Sequence, residues 1–297
     1  MRKEKDSLGE LNVPEDALYG VHTCRSIENF HMASEKLPIE LIYGMVQLKQ
    51  ACAAANAQLG LLPHDKAVAI AAACGEVLSG KFNDQFPIDT FQAGSGTSSN
   101  MNVNEVLANL AAEALGGKRG DRKTVHPNDD VNMGQSTNNV FPSAIRVAAV
   151  ELCGGLFQTL EKLIQALEKK ADEFGRSPSD RFFSEDPKST LASLGSKVWK
   201  TGRTHLQDAV PMTLGQEFAA WAHALRKAEK RIAFACMDLH ELGIGGNAIG
   251  TGATRPPPSA VKLSKHSIRR PDRNTALPKT ALRSRSFFPI WARFPAR

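Results

Sequence analysis

The chain has 297 residues, 42% of them hydrophobic, with 37 Lys or Arg against 31 Asp or Glu and a formal net charge of +6. That is enough chain for one large or two ordinary domains with a sizeable core, and a mean hydropathy of −0.28 reads as soluble rather than membrane-embedded. The basic balance is misleading as a whole. Residues 253–297 hold eleven Lys or Arg against Asp272 alone, so the first 252 residues carry 26 bases and 30 acids.

The N-terminus, MRKEKDSLGE, is charged throughout, which argues against a secretory signal, and no run reads as apolar enough for a membrane span. Cys24, Cys52, Cys74, Cys153 and Cys236 are widely spaced without a CxxC pair. They read as reduced thiols of a cytoplasmic protein. Glu40 to Leu59 and Asp65 to Leu78 are Ala- and Leu-rich with helical spacing.

Gly94 to Glu105, GSGTSSNMNVNE, then runs directly into an Ala/Leu segment. A Gly-rich stretch opening a helix aims unpaired backbone N–H groups at one point, a ready anion site. Its Ser, Thr and Asn side chains add uncharged donors. The same residues suit an ordinary N-capped turn. Two more polar blocks follow, HPNDDVNMGQSTNN (His126 to Asn139) and KTGRTHLQDAVPMTLGQEF (Lys200 to Phe218), each ahead of a long periodic segment.

From Ser143 the apolar residues Ala149, Cys153, Leu156, Leu160, Leu163, Leu167, Ala171 and Phe174 step by three and four, as do Leu214, Phe218, Trp221, Leu225, Ala228, Ile232, Ala235 and Leu239. Such near-heptad stripes predict long helices packed side by side, with Gly154 and Gly155 as places to bend. Residues 175–198 are polar and turn-rich and read as an inserted loop. Residues 253–297 hold seven prolines and lack periodicity, so they read as a disordered basic tail able to meet a polyanion.

The three blocks, their order and flanking runs such as LGELNVPEDALYGVHTCRSIENF, GKFNDQFPIDTFQ and GGNAIGTG resemble the fumarase/aspartase superfamily from Arg2 to Gly252. The resemblance implies an all-α fold: an N-terminal lyase domain (1–139), a partial central helical bundle (140–252) and the tail. It implies anti elimination from a four-carbon dicarboxylate to fumarate. Neutral donors suit the developing aci-carboxylate, because they stabilise charge without gripping the ground state. Thr97, Ser136, Thr137, Asn138 and Thr204 would bind substrate, and His205 would handle or orient a proton. His126, Asn128 and Asp129 match a secondary anion site.

Each of these residues also has a plain reading as a cap, turn or hydrogen-bonded histidine. Asn139 stands where the family usually has Asp, which threatens a turn or cap. LYGVHTCRSIENF, QSTN and AVPMTLGQEF resemble aspartate ammonia-lyases most, Thr137 being suited to accept from an ammonium, with fumarate hydratase as the alternative. A third reading is a non-catalytic bundle with a polyanion-binding tail. The family's Gly-Ser-Ser loop with its base serine is not found after Gly252. The expected partners are a small dicarboxylate and further copies of the chain, tetramers with shared active sites in the family, without membrane or nucleic acid. No cofactor or metal is expected, a divalent activator aside.

Overall fold

A computed structural model describes residues 1–33, 35–175 and 197–252. The tail and nearly all of the inserted loop lie outside the described residues. The fold is predominantly helical, as the sequence implied. In chain order it comprises strands β1 (Arg2–Asp6) and β2 (Gly9–Val13), helices α1 (Val21–Asn29), α2 (Ile39–Gln58), α3 (His64–Leu78), α4 (Thr97–Ala114) and α5 (Thr137–Glu173), strands β3 (Trp199–Thr204) and β4 (Gln207–Thr213), and helix α6 (Leu214–Asp238). Both strand pairs are two-stranded antiparallel ribbons.

The chain divides into two compact units. One comprises Met1–Val150 together with the described residues from Leu239, and the other Glu151–Asp238. The first has a dense core. Met45 and Val46 of α2, Ile70, Cys74 and Val77 of α3, Val103, Val106 and Leu107 of α4 and Val140 and Ala144 of α5 are all fully buried in it. Burying apolar surface at this density is the main drive for folding.

In the second unit α5 and α6 run antiparallel, and side chains fix their pairing. Arg226 on α6 meets Glu161 and Glu168 on α5, the thiols of Cys153 and Cys236 approach to 3.2 Å, and Phe174 meets Phe218 at 5.6 Å between ring centroids. Helix α5 is continuous over 37 residues, with Gly154 and Gly155 inside it. The predicted stripes are only partly core. Of their residues Ala171 is buried, whereas Leu156, Leu163 and Trp221 stand in the open.

One expectation is corrected here. An 18-residue window of α5 has a mean hydropathy of 1.5, so by length and composition alone this helix could span a bilayer.

Candidate active site

Most of the first block is helix. Only Gly94 to Gly96 form a turn, and α4 begins at Thr97. Gly96 has φ of 76°, and a Cβ there would meet the Phe141 ring at 2.2 Å, so both backbone and space require glycine. Some of the polar groups beyond Thr97 are engaged inside the fold, while the side-chain oxygens of Asn100, Asn102 and Asn104 are buried without a hydrogen-bond partner. The Ser99 amide donates to Gln92 Oε1 and its hydroxyl accepts from Gln92 Nε2, while Asn102 Nδ2 donates to the Gln85 carbonyl. These outside partners let Ser and Asn sit within a helix they would otherwise weaken.

Glu105, 2% exposed, accepts from the backbone N–H groups of Gly20, His22 and Thr23 and from the Thr23 hydroxyl. Its carboxylate therefore fills the N-terminus of α1, where a negative charge is favoured. Glu4 adds a second buried carboxylate that accepts from Val21 N–H and from Arg2 Nε. A Cβ on Gly20 would meet both acids at under 3 Å.

Thr97 lines a cavity of about 600 Å³ with His126 and Asn128, and with three basic groups the sequence reading did not name, His22, Arg25 and Arg122. Arg25 is engaged by Asp6 at 2.9 Å and holds its carboxyl below the usual range. Arg122 lies 3.9 Å from Glu4 and 4.0 Å from Glu105. His22 and Arg25 lie in the Leu8–Phe30 run and Arg122 far along the chain, with no spacing that marks the three as a group.

His126 opens a turn over Pro127–Val131. Its Nδ1 accepts from the amides of Asn128 and Asp129 at 3.2 and 3.1 Å. Asp129 is exposed, whereas Asp130 is buried, paired with Lys66 at 2.7 Å and accepting from His126 N–H.

Ser136, Thr137 and Asn138 sit at the start of α5. Ser136 Oγ accepts from Asn138 N–H, and Asn139 Oδ1 accepts in return from Ser136 N–H at 3.1 Å. This reciprocal cap needs only an acceptor, so Asn139 keeps the turn closed without a carboxylate. Asn138 Nδ2 donates to the Ala248 carbonyl at 3.0 Å. The first and second blocks meet directly, for Asn100 Nδ2 donates to Thr137 Oγ1 at 3.0 Å. Asn100 is 1% exposed, and its Oδ1 is buried without a hydrogen-bond partner. One lone pair of Thr137 is thus already taken, which weakens the case for this hydroxyl as an ammonium acceptor.

The third block lies in the second unit. It forms the β3–β4 ribbon and the first residues of α6. Thr204 is exposed at its tip, and His205 and Leu206 form the turn with φ of 53° and 64°. Hairpins favour this geometry, but Asn and Gly normally supply it, so both residues carry strain of about 1 kcal/mol or more.

A family model described as Lyase matches residues 9–178 and 189–284, continuing past Gly252, where the sequence resemblance was expected to stop. The chain is 46% identical over 258 residues to a class II fumarate hydratase of Chromobacterium violaceum, covering 86% of this chain and 51% of that protein. It is 45% identical over 267 residues to the same enzyme of Chlamydia trachomatis, covering 90% and 53%. Among solved structures it is similar to a "fumarate lyase:delta crystallin" of Brucella melitensis bound to cobalt, with TM-score 0.76, 45% identity and coverage of 87% and 52%. A class II fumarase of Schistosoma mansoni matches with TM-score 0.76, 38% identity and coverage of 86% and 50%. The chain spans about half the length of these relatives. The expected closeness to aspartate ammonia-lyases is not supported, since the curated relatives named here are fumarate hydratases. By sequence and by fold, the chain belongs to the lyase family of the fumarase/aspartase superfamily.

Proposed function

We propose that the chain supplies dicarboxylate-binding elements of a lyase that interconverts fumarate and L-malate. The observation that carries this reading is the Asn100–Thr137 contact, which ties the starts of α4 and α5 together with uncharged groups. Since Thr137 Oγ1 accepts from Asn100, its own proton is available to a ligand carboxylate. The unpaired Asn100 Oδ1 is a buried acceptor suited to the hydroxyl of malate or to the water that replaces it. Thr97, Ser136 and Asn138 add neutral donors, which stabilise an aci-carboxylate as charge develops. Thr204 and His205 enter as carboxylate donor and proton-handling group, contributed by neighbouring copies in a homo-oligomer. The exposed leucines of α5 support that assembly. The names of the relatives favour water over ammonia as the group eliminated.

Fumarate titrated into the chain, followed by amide NMR, tests the reading. Saturable shifts are expected at Thr97 and at residues 136–138, reversed better by L-malate than by L-aspartate and lost in Thr97→Val. Shifts confined elsewhere, or stronger displacement by aspartate, defeat it.

A further inference from the structure

Lys49 is a lysine where the fold offers only packing. It lies on α2 between the buried turns of Met45 and Val46 and of Cys52 and Ala53, and is itself 0% exposed. A lysine is almost never found fully buried unless paired. Here its Nζ donates to two amide oxygens, Asn132 Oδ1 at 2.6 Å and Gln135 Oε1 at 3.0 Å. No carboxylate lies within ion-pair distance of it among the described residues. The titratable groups facing it are the thiols of Cys52 on its own helix and Cys74 on α3, both kept protonated by burial, at about 11 and about 12. The buried acid of the adjoining turn, Asp130, is already taken by Lys66. Burial pushes the Lys49 amine down to about 7.

These contacts fix more than the amine. By claiming both amide oxygens, Lys49 turns Asn132 Nδ2 toward the Gln135 carbonyl and Gln135 Nε2 toward the Val131 carbonyl. Asn132 Oδ1 also accepts from Asn100 Nδ2 at 3.4 Å, the same nitrogen that donates to Thr137. A continuous chain of hydrogen bonds therefore runs from Lys49 to the two residues on which the proposed ligand site rests.

We propose that Lys49 is the positioning cation of that site: it orients Asn132, Gln135 and through them Asn100 and Thr137, and it draws its missing counter-charge from the bound dicarboxylate. The inference rests on the dicarboxylate reading above. An ammonium without an anionic partner in the fold gains one when a dianion binds nearby, so binding favours its protonated form. By linkage, the ligand then binds more tightly where the amine is charged.

The test is a pH titration of the Lys49 side chain by NMR in the full chain labelled at lysine, with and without saturating fumarate, chloride holding the ionic strength constant. The expected midpoint, near 7 without ligand, rises by about one pH unit or more. Fumarate affinity correspondingly falls about tenfold from pH 6 to pH 8.5, a slope absent in Lys49→Gln. Lys49→Arg, charged throughout, keeps tight binding without that slope. If Thr97 and Thr137 report fumarate binding while the Lys49 midpoint stays put, this proposal fails alone. If no amide responds to fumarate, the dicarboxylate reading fails and takes the proposal with it. Should the variants not fold, the titration of the unaltered chain decides by itself.

Discussion

The first and third polar blocks read alike, each a run of small hydroxyl and amide residues ahead of a helix, yet they reach opposite surroundings. In Gly94 to Glu105, Ser98, Ser99, Asn100, Asn102 and Asn104 are all buried, five polar residues in the helical wall of a core. In Thr201 to Gln207 nearly every residue is exposed, on a ribbon with a strained tip. Composition alone did not separate them. What separates them is partner supply: Gln92, the Gln85 carbonyl and Thr137 reach the first block from other elements, while the β3–β4 ladder pairs backbone with backbone and carries Thr204, His205 and Leu206 at an exposed tip.

The largest effect that would break this contrast is expected at Gly96. Gly96→Ala forces a Cβ against the Phe141 ring and puts alanine at a positive φ, costing about 4 kcal/mol in urea unfolding. Gly154→Ala, where a Cβ meets open space in mid-helix, is expected to stabilise by up to about 1 kcal/mol. If the two substitutions cost the same, the first block is not the packed wall described here.

A middling effect belongs to the junction between the third block and its helix. The Thr213 hydroxyl accepts from Gln216 N–H at 3.1 Å, and Gln216 Oε1 accepts from Thr213 N–H at 3.0 Å, a two-residue reciprocal cap where α5 uses Ser136 with both Asn138 and Asn139. Thr213→Ala is expected to lose about 1 kcal/mol by thermal unfolding. An unchanged midpoint would mean that α6 does not start where the cap puts it.

The helices were legible because their signal is local: the stripes predicted α2, α3, α5 and α6 to within a few residues, apart from the first turns of α5. The blocks were legible as motifs but not as geometry. Whether Thr97 sits beside His126 or beside Thr137 depends on how α4 crosses its neighbours, and nothing in GSGT encodes that. The roles of Glu105 and Lys49 were hidden for the same reason. A glutamate closing NVNE looks like a surface acid until α1 delivers three amides to it. Lys49 did carry a sign, since it falls among the buried positions of the α2 stripe, where a charge is out of place.

The smallest expected effect lies on the ribbon itself and sharpens the comparison from the other side. Arg203 Nε pairs with Asp208 Oδ1 at 3.2 Å, with the two side chains 65% and 74% exposed. Exposed pairs gain little, because water screens the attraction and holding two long side chains costs entropy. Asp208→Asn should therefore change the unfolding free energy by less than about 0.5 kcal/mol, and added salt should shrink even that difference. A loss several times larger would mean that the ribbon is covered in solution, as required if Thr204 and His205 close over a ligand held by another copy of the chain.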